Sequence, residues 1–418
     1  MIKKTYHKHK ETINNFTWRA LQIGGKQGIT FLIFILTARL LEPYTFGIYN
    51  YILAIVFFLV MFADFGISTS TSKYVAEYNV TDKGKLSSIL FSSGVIILAL
   101  TVVITISTIL IGPYYFKENY IYIIYVLPLL FLIPLTSLYD GIYRGLKRFK
   151  SLAIISMTVG SFSLIFIYIL INKLGLIGAL ISQNLFYLFL ALGLGLGYTD
   201  FKLKINSKII KSIGYYALLI GIINFSYFLY TKIDLIIFGK MGLITELGYY
   251  EIINRFLYFI AMPLSIFAQI KAPRITSQYY RGKKKEILRF FKKYTKYAII
   301  FATFISIISF FILPLVIKMI LPQYYVSELI LVLRILLFVF IFQNVAGFFG
   351  TSFVVPTGYA KLNMINLIIF GVINIILDYV FLSTFGFIGI VFTKLIVGIA
   401  SSITLTVFYY RALKKEIK

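Results

Sequence analysis

Runs of twenty or more largely apolar residues recur from one end of this chain to the other, and that recurrence decides its solvent. Wound as a helix at about 1.5 Å per residue, each run crosses roughly 30 Å of hydrocarbon. Inside hydrocarbon every backbone N–H and C=O must be paired within the protein, so repeated spanning runs imply a bundle of helices. Composition agrees: 60% of the residues are hydrophobic and 13% charged, against roughly 45–50% apolar in soluble chains. The chain therefore reads as an all-α polytopic membrane protein. It has no cysteine, and its only histidines are His7 and His9 in the N-terminal tail. Disulfides, thiol chemistry, Cys-ligated metals and a buried His metal site are excluded on that basis. The first apolar run, 18–41, is too long for a signal-peptide core and no small-residue cleavage site follows it.

Twelve spans are expected, at 17–41, 46–67, 86–112, 120–141, 151–171, 174–198, 213–238, 248–270, 294–320, 327–349, 362–384 and 386–410. Gly, Pro and charge clusters mark the breaks. Of the 41 lysines and arginines, thirty fall in the N-terminal tail, the stretches after even-numbered spans and the C-terminal tail. Five fall on the opposite side, and six lie within spans: Arg19, Lys26, Lys232, Arg255, Arg334 and Lys394. Positive residues are retained on the cytoplasmic side, which puts both termini there and the chain in the cell membrane. The formal charge of +26 is then topology signal plus attraction to anionic headgroups, not a nucleic-acid surface. The longest connection, 271–293, is expected to be a cytoplasmic loop able to form an interfacial amphipathic helix. No soluble domain is present to host an ATPase or a glycosyltransferase. The string GGKQG at 24–28 lacks the phosphate-loop spacing. Energy for any transport must come from an ion gradient or from the substrate itself.

The two halves echo each other. FGIYNYILAIVFFL (46–59) resembles LGYYEIINRFLYFI (247–260), and LGLIGA (174–179) resembles FGFIGI (385–390), at matching places among six spans each. The expected division is an N-terminal lobe at 1–198, a basic cytoplasmic linker at 199–212 and a C-terminal lobe at 213–418. Six spans per half give both copies one orientation, hence a pseudo-two-fold axis along the membrane normal and a cleft between two six-helix lobes.

Four longer strings are more specific: RLLEPYTFGIYNYILAIVFFLVMFADFGISTSTSKYVAEY (39–78), YDGIYRGLKRFK (139–150), TKIDLIIFGKMGLITELGYYEIINRF (231–256) and NIILDYVFLSTFGFIGIVFTK (374–394). Together, in this order, they resemble the polysaccharide-biosynthesis flippases of the multidrug/oligosaccharidyl-lipid/polysaccharide (MOP) exporter superfamily. The resemblance covers nearly the whole chain. It implies a V-shaped central cavity and alternating access. It also implies movement of a polyprenyl- or dolichyl-(pyro)phosphate-linked oligosaccharide to the outer leaflet. Expected partners are that lipid-linked oligosaccharide, membrane lipids, and glycosyltransferases or a polymerase of the same pathway, with the chain itself a monomer. Two alternatives stay open: a cation-coupled drug or organic-cation antiporter of the same superfamily, and a membrane glycan polymerase or ligase. The second needs large exterior loops that this chain lacks.

A charge near mid-membrane costs roughly 2.5–3.5 kcal/mol on insertion scales, so the intramembrane charges should face a cavity or a partner. Arg19 and Lys26 are seven residues apart on one face of span 1. Two cations there suit a pyrophosphate entering from the cytoplasm; the alternative is snorkelling to the inner headgroups. Glycines beside Lys26 would let a bulky headgroup approach. Lys232 is near enough to the outer end of span 7 to snorkel outward. In the second lobe Asp234, Arg255, Asp378 and Lys394 fall in one layer, roughly 5–12 Å below the outer boundary. Arg255 and Lys394 are further candidates for the phosphate and sugar. Asn374 and Asp378 share a face, and with Asp234 and Thr393 they offer a hard-oxygen set for a Na⁺, or two carboxylates that share a proton. The other reading is a purely structural network of these acids with Lys232, Arg255 or Lys394. Asp64 closes span 2 and reads either as a lobe-gating contact or as a helix cap.

Overall fold

In the computed structural model residues 2–198 and 207–417 are described, and side chains at 18, 21–82, 84–198, 207 and 209–417. Among the described residues every regular element is helical: α1 (Ile2–Leu40), α2 (Pro43–Asp64), α3 (Ile67–Thr81), α4 (Leu86–Phe116), α5 (Tyr120–Val126), α6 (Leu129–Gly145), α7 (Phe149–Leu196), α8 (Ser207–Thr231), α9 (Ile233–Lys240), α10 (Ile244–Tyr280), α11 (Lys284–Ile320), α12 (Ser327–Phe349), α13 (Ala360–Phe385), α14 (Gly389–Thr393) and α15 (Ile399–Lys415). Nine helical stretches among the described residues are long and apolar enough to cross a membrane. Two of these, Phe149–Leu196 and Ala360–Lys415, are hairpins, and α6 supplies one more crossing, which recovers the twelve spans.

Both hairpins turn in the same way. Gly175 interrupts α7 at φ 55°, ψ −127°, and Gly386 follows α13 at φ 58°, ψ −140°. An L side chain is strained in that region, by about 1–3 kcal/mol. Three residues on, a side chain at Gly178 would collide with the Leu170 carbonyl, and one at Gly389 with the Phe381 carbonyl. The echo LGLIGA/FGFIGI is therefore a repeated device for folding one span back on the next. Gly175→Ala and Gly386→Ala are each expected to lower the melting temperature of the detergent-purified protein by several degrees. Unchanged melting in both would remove the steric account.

The chain divides into two compact units. One comprises Met1–Leu41 and Ile52–Phe225, the other Glu42–Tyr51 and Ser226–Lys418. These bounds differ from a single cut at 198–213, because α2 and α8 each contribute to both units. In the first unit the start of α8 is docked by side chains of α3: Ser70 donates to the Ile213 carbonyl (3.0 Å) and Tyr74 to that of Ser212 (3.1 Å). There α6 lies backbone-close on α3. A side chain at Gly141 would strike the Ser68 carbonyl, and one at Gly145 would come within 2.7 Å of the Ser72 carbonyl. The small-xxx-small spacing of DGIYRG is thus a helix-packing seam. In the second unit the start of α2 crosses the start of α10 through Gly47 and Gly248, each meeting the other helix's backbone. The echo at 46–59 and 247–260 falls on this crossing.

Two expected loops are helical. The segment after span 2 forms α3, preceded by a tight turn at Phe65 (φ 35°) and Gly66 (φ 81°). Asp64 accepts from the Ser68 backbone N–H (2.9 Å) and hydroxyl (2.7 Å). It therefore ties the end of α2 to the first turn of α3 across the Phe65–Gly66 turn. The stretch 271–293 continues α10 and opens α11, with only a turn at Arg281–Lys283 between them, Gly282 having φ 75°. Charged residues extend both helices beyond the apolar runs, so hydropathy alone stopped them short.

At the far end of the second unit, Glu416 accepts hydrogen bonds from Tyr279 and Tyr359 and an ion pair from Lys284 (3.0 Å). Partial burial pushes its carboxyl up, but the Tyr359, Lys284 and Tyr279 contacts outweigh it and hold the group below its ordinary 4.5. Because its folded value is depressed, its contribution to stability is complete above pH 4.5 and is lost as pH falls through the folded value. Glu416→Gln is expected to flatten the acid limb of a melting-versus-pH curve. An unchanged acid limb would refute that role.

Candidate functional site

The intramembrane charges of the second unit gather where two spans are broken. Span 7 is interrupted at Lys232 (φ −136°, ψ −12°), so Asp234 lies in the first turn of α9, where a carboxylate complements the helix dipole. Span 12 passes from α14 into a wider π-helical turn, Lys394–Gly398, before α15. Such bulges shift side-chain register and are frequent at functional sites. Here the bulge begins with Lys394.

Lys394 Nζ is 3.1 Å from Asp234 Oδ2 and donates to Asn374 Oδ1 at 3.1 Å. Asn374 Nδ2 donates to Asp378 Oδ2 at 2.9 Å, as the four-residue spacing on α13 predicts. Tyr250 of α10 donates its hydroxyl to Asp234 Oδ2. Asp234, Asn374, Asp378 and Thr393 are wholly buried, and Lys394 is 8% exposed. The Thr393 hydroxyl stands beside Asp378 without closing a hydrogen bond, and Asp234 Oδ1 and Asp378 Oδ1 are likewise buried without one. Close by, Tyr230 shares a 2.6 Å hydrogen bond with Ser401. The structure thus brings together all four cation-site candidates and places Lys394, a phosphate candidate by sequence, among them. Tyr250 escaped the sequence reading. Its signal was its depth, six residues into α10, level with the acids.

A second pair lies nearby. Lys232 Nζ contacts Glu251 Oε1 at 3.1 Å; the carboxylate is buried, while the lysine side chain is 45% exposed. Arg255, one turn after Glu251 and half-buried, also acts on that carboxylate. Arg255 is therefore engaged within its own unit.

In the first unit α1 packs along α7. Gly25 is closed against Met157, with a Cβ there only 2.8 Å from Sδ, whereas Gly28 faces open space. Only part of the glycine cluster is thus left for an approaching ligand. The Lys26 side chain is exposed and forms no ion pair among the described residues. Arg334 lies over the Phe310 ring at 4.7 Å, and Lys232, Arg255 and Lys394 all have carboxylates. Lys26 differs from all of these. The Arg19 side chain lies outside the described residues.

Residues 12–279 match the family pattern of polysaccharide biosynthesis proteins. The chain belongs to that family. A relative, an uncharacterised membrane protein of Methanocaldococcus jannaschii, is 29% identical, across 94% of this chain and 96% of that one. Among solved structures, an inward-facing multidrug resistance MATE family transporter of the MOP superfamily matches with a TM-score of 0.80 at 16% identity, covering 95% of this chain and 96% of that one. A MOP superfamily transporter from Pyrococcus furiosus, whose binding pocket is described as having reverse polarity, matches at 0.65 with 15% identity, covering 97% and 96%. At such identities the likeness establishes the fold. The apolar helices make this polysaccharide biosynthesis protein a multi-pass membrane protein, and its fold is the one seen in MOP-superfamily transporters. The matched region takes in Lys26, Asp234, Glu251 and Arg255, while Asn374, Asp378 and Lys394 lie beyond it.

Proposed function

We propose that the protein is a flippase. It carries a polyprenyl- or dolichyl-(pyro)phosphate-linked oligosaccharide from the cytoplasmic to the outer leaflet of the cell membrane, by alternating access, for surface glycan assembly. The observation that carries this reading is Lys26, an exposed cation on a membrane helix with no ion-pair partner among the described residues. A drug-cation antiporter calls for an unneutralised carboxylate in that position; an unneutralised ammonium calls for an anion. A pyrophosphate supplies one, and membership of a polysaccharide-biosynthesis family supplies the glycan attached to it. The Pyrococcus furiosus transporter described as having a reverse-polarity pocket gives a precedent within the fold. Transport is secondary, both termini are cytoplasmic, and glycosyltransferases or a polymerase of the same pathway provide and remove the cargo.

The test is translocation of a radiolabelled lipid-linked oligosaccharide in proteoliposomes, run beside a cationic dye. Flipping of the lipid without dye transport is expected. Dye transport without lipid flipping would replace this reading by the antiporter.

A further inference from the structure

The oxygens of Asp234, Asn374, Asp378 and Thr393 form the kind of hard donor set that a Na⁺ accepts. Whether such an ion fits depends on what already sits among them. Lys394 Nζ lies 3.1 Å from Asp234 Oδ2 and 3.1 Å from Asn374 Oδ1, so an ammonium holds two of the four donors. A metal ion bound by those same oxygens would fall almost on top of Nζ. Two cations that need the same two oxygens would overlap or repel one another at close range in a buried space, where Coulomb repulsion is weakly screened. Sodium and Lys394 exclude each other at this position.

The local backbone supports a fixed occupant. Lys394 opens the π-helical turn on span 12, and its ammonium enters between Asp234 on α9 and Asn374 on α13, with Tyr250 bracing Asp234 from α10. Helices from three parts of the second unit are tied through one side chain. We infer that Lys394 is the resident cation of this lobe: its tethered ammonium does what a bound metal ion would do, and the lobe assembles and works without Na⁺. This concerns the cation cluster alone and holds whichever substrate is carried, so its failure and failure of the flippase reading are separable.

The inference has a consequence that an ordinary structural ion pair does not. Removing the ammonium while keeping the oxygens should create a Na⁺ site where the protein has none. Lys394→Ala leaves both carboxylates, the amide and the hydroxyl around the vacated stem. Asp234 Oδ1, Asp378 Oδ1 and Thr393 Oγ1 are already free of hydrogen bonds and available as ligands.

The experiment measures thermal melting of the full chain in neutral detergent, in NaCl and in choline chloride at equal ionic strength, with ²²Na⁺ binding alongside. The wild type is expected to melt alike in both salts and to bind no ²²Na⁺ above background. Lys394→Ala is expected to melt lower in choline and to recover about 3–5 °C in a saturating manner with Na⁺. Asp378→Asn in that background should abolish the recovery, and Lys394→Arg, which keeps a fixed charge, should stay Na⁺-independent. If Lys394→Ala is too unstable to purify in choline, Lys394→Gln takes its place. Saturable ²²Na⁺ binding by the wild type overturns the inference, whether or not any variant folds. So does the absence of a Na⁺ effect in both neutral variants.

Discussion

Lys26→Glu is expected to abolish translocation of the lipid-linked oligosaccharide while leaving expression and melting temperature near wild type. The stability half of this expectation follows from exposure. The Lys26 side chain is open and holds no ion-pair partner among the described residues, so reversing its charge orphans nothing. The transport half follows from the charge of the proposed cargo. A hydrogen bond to a charged group contributes about 1.5–3 kcal/mol, and exchanging attraction for repulsion costs more, so at least a tenfold to hundredfold loss is expected. Lys26→Gln should retain a weak residual rate and Lys26→Arg most of it, because guanidinium also binds phosphate oxygens. Wild-type flipping by Lys26→Glu would remove this residue from the cargo path. Proposed substrates lacking a phosphate should be indifferent to all three changes.

Lys394→Met, in medium without Na⁺, is expected to lose about 3–5 kcal/mol of stability, the usual cost of stripping one partner from a buried pair. Asp234 and Asp378 would be left in one buried cluster without a counter-charge. Asp234→Asn should cost less, because Lys394 retains Asp378 through the Asn374 bridge. The double variant should be more stable than the sum of the single losses requires, since removing both partners of one ion pair returns the cluster to its wild-type net charge. Chemical denaturation of all three proteins in one detergent measures this. Strict additivity would mean that the 3.1 Å contact between Lys394 and Asp234 carries no energy.

How much of this was legible in the sequence varied with the physics involved. The spans were legible because hydrocarbon imposes a length that a run of apolar residues must meet. Within the described residues, the breaks at Gly175 and Gly386 fell where the sequence placed them. The helix α3 was missed because its fifteen residues, ISTSTSKYVAEYNVT, are mostly polar and carry no spanning signal; they pack Ser68, Ser72 and Val75 against the glycines of α6. The acids of the cation cluster were readable from depth, since depth follows from counting along a helix. The partner of each acid was not. That depends on the rotation of each helix about its axis, and at Lys394 the rotation is reset by the π-helical turn. No hydropathy pattern reports such a turn. Asp64 shows the same limit, since its hydrogen bonds to Ser68 depend on the positive-φ turn between them.

The hairpin at Gly175 also bears on how the protein is made and handled. Its two arms meet in a turn with no slack, the Leu170 carbonyl lying against Gly178. An inserting ribosome–translocon complex would have to deliver these arms to the bilayer as a pair, since the connection is too short for one to wait in water for the other. Epitope tags and split-protein junctions inserted at 175–178 should therefore fail, whereas the turn at Arg281–Lys283, flanked by exposed lysines, is a permissive site for the same insertions.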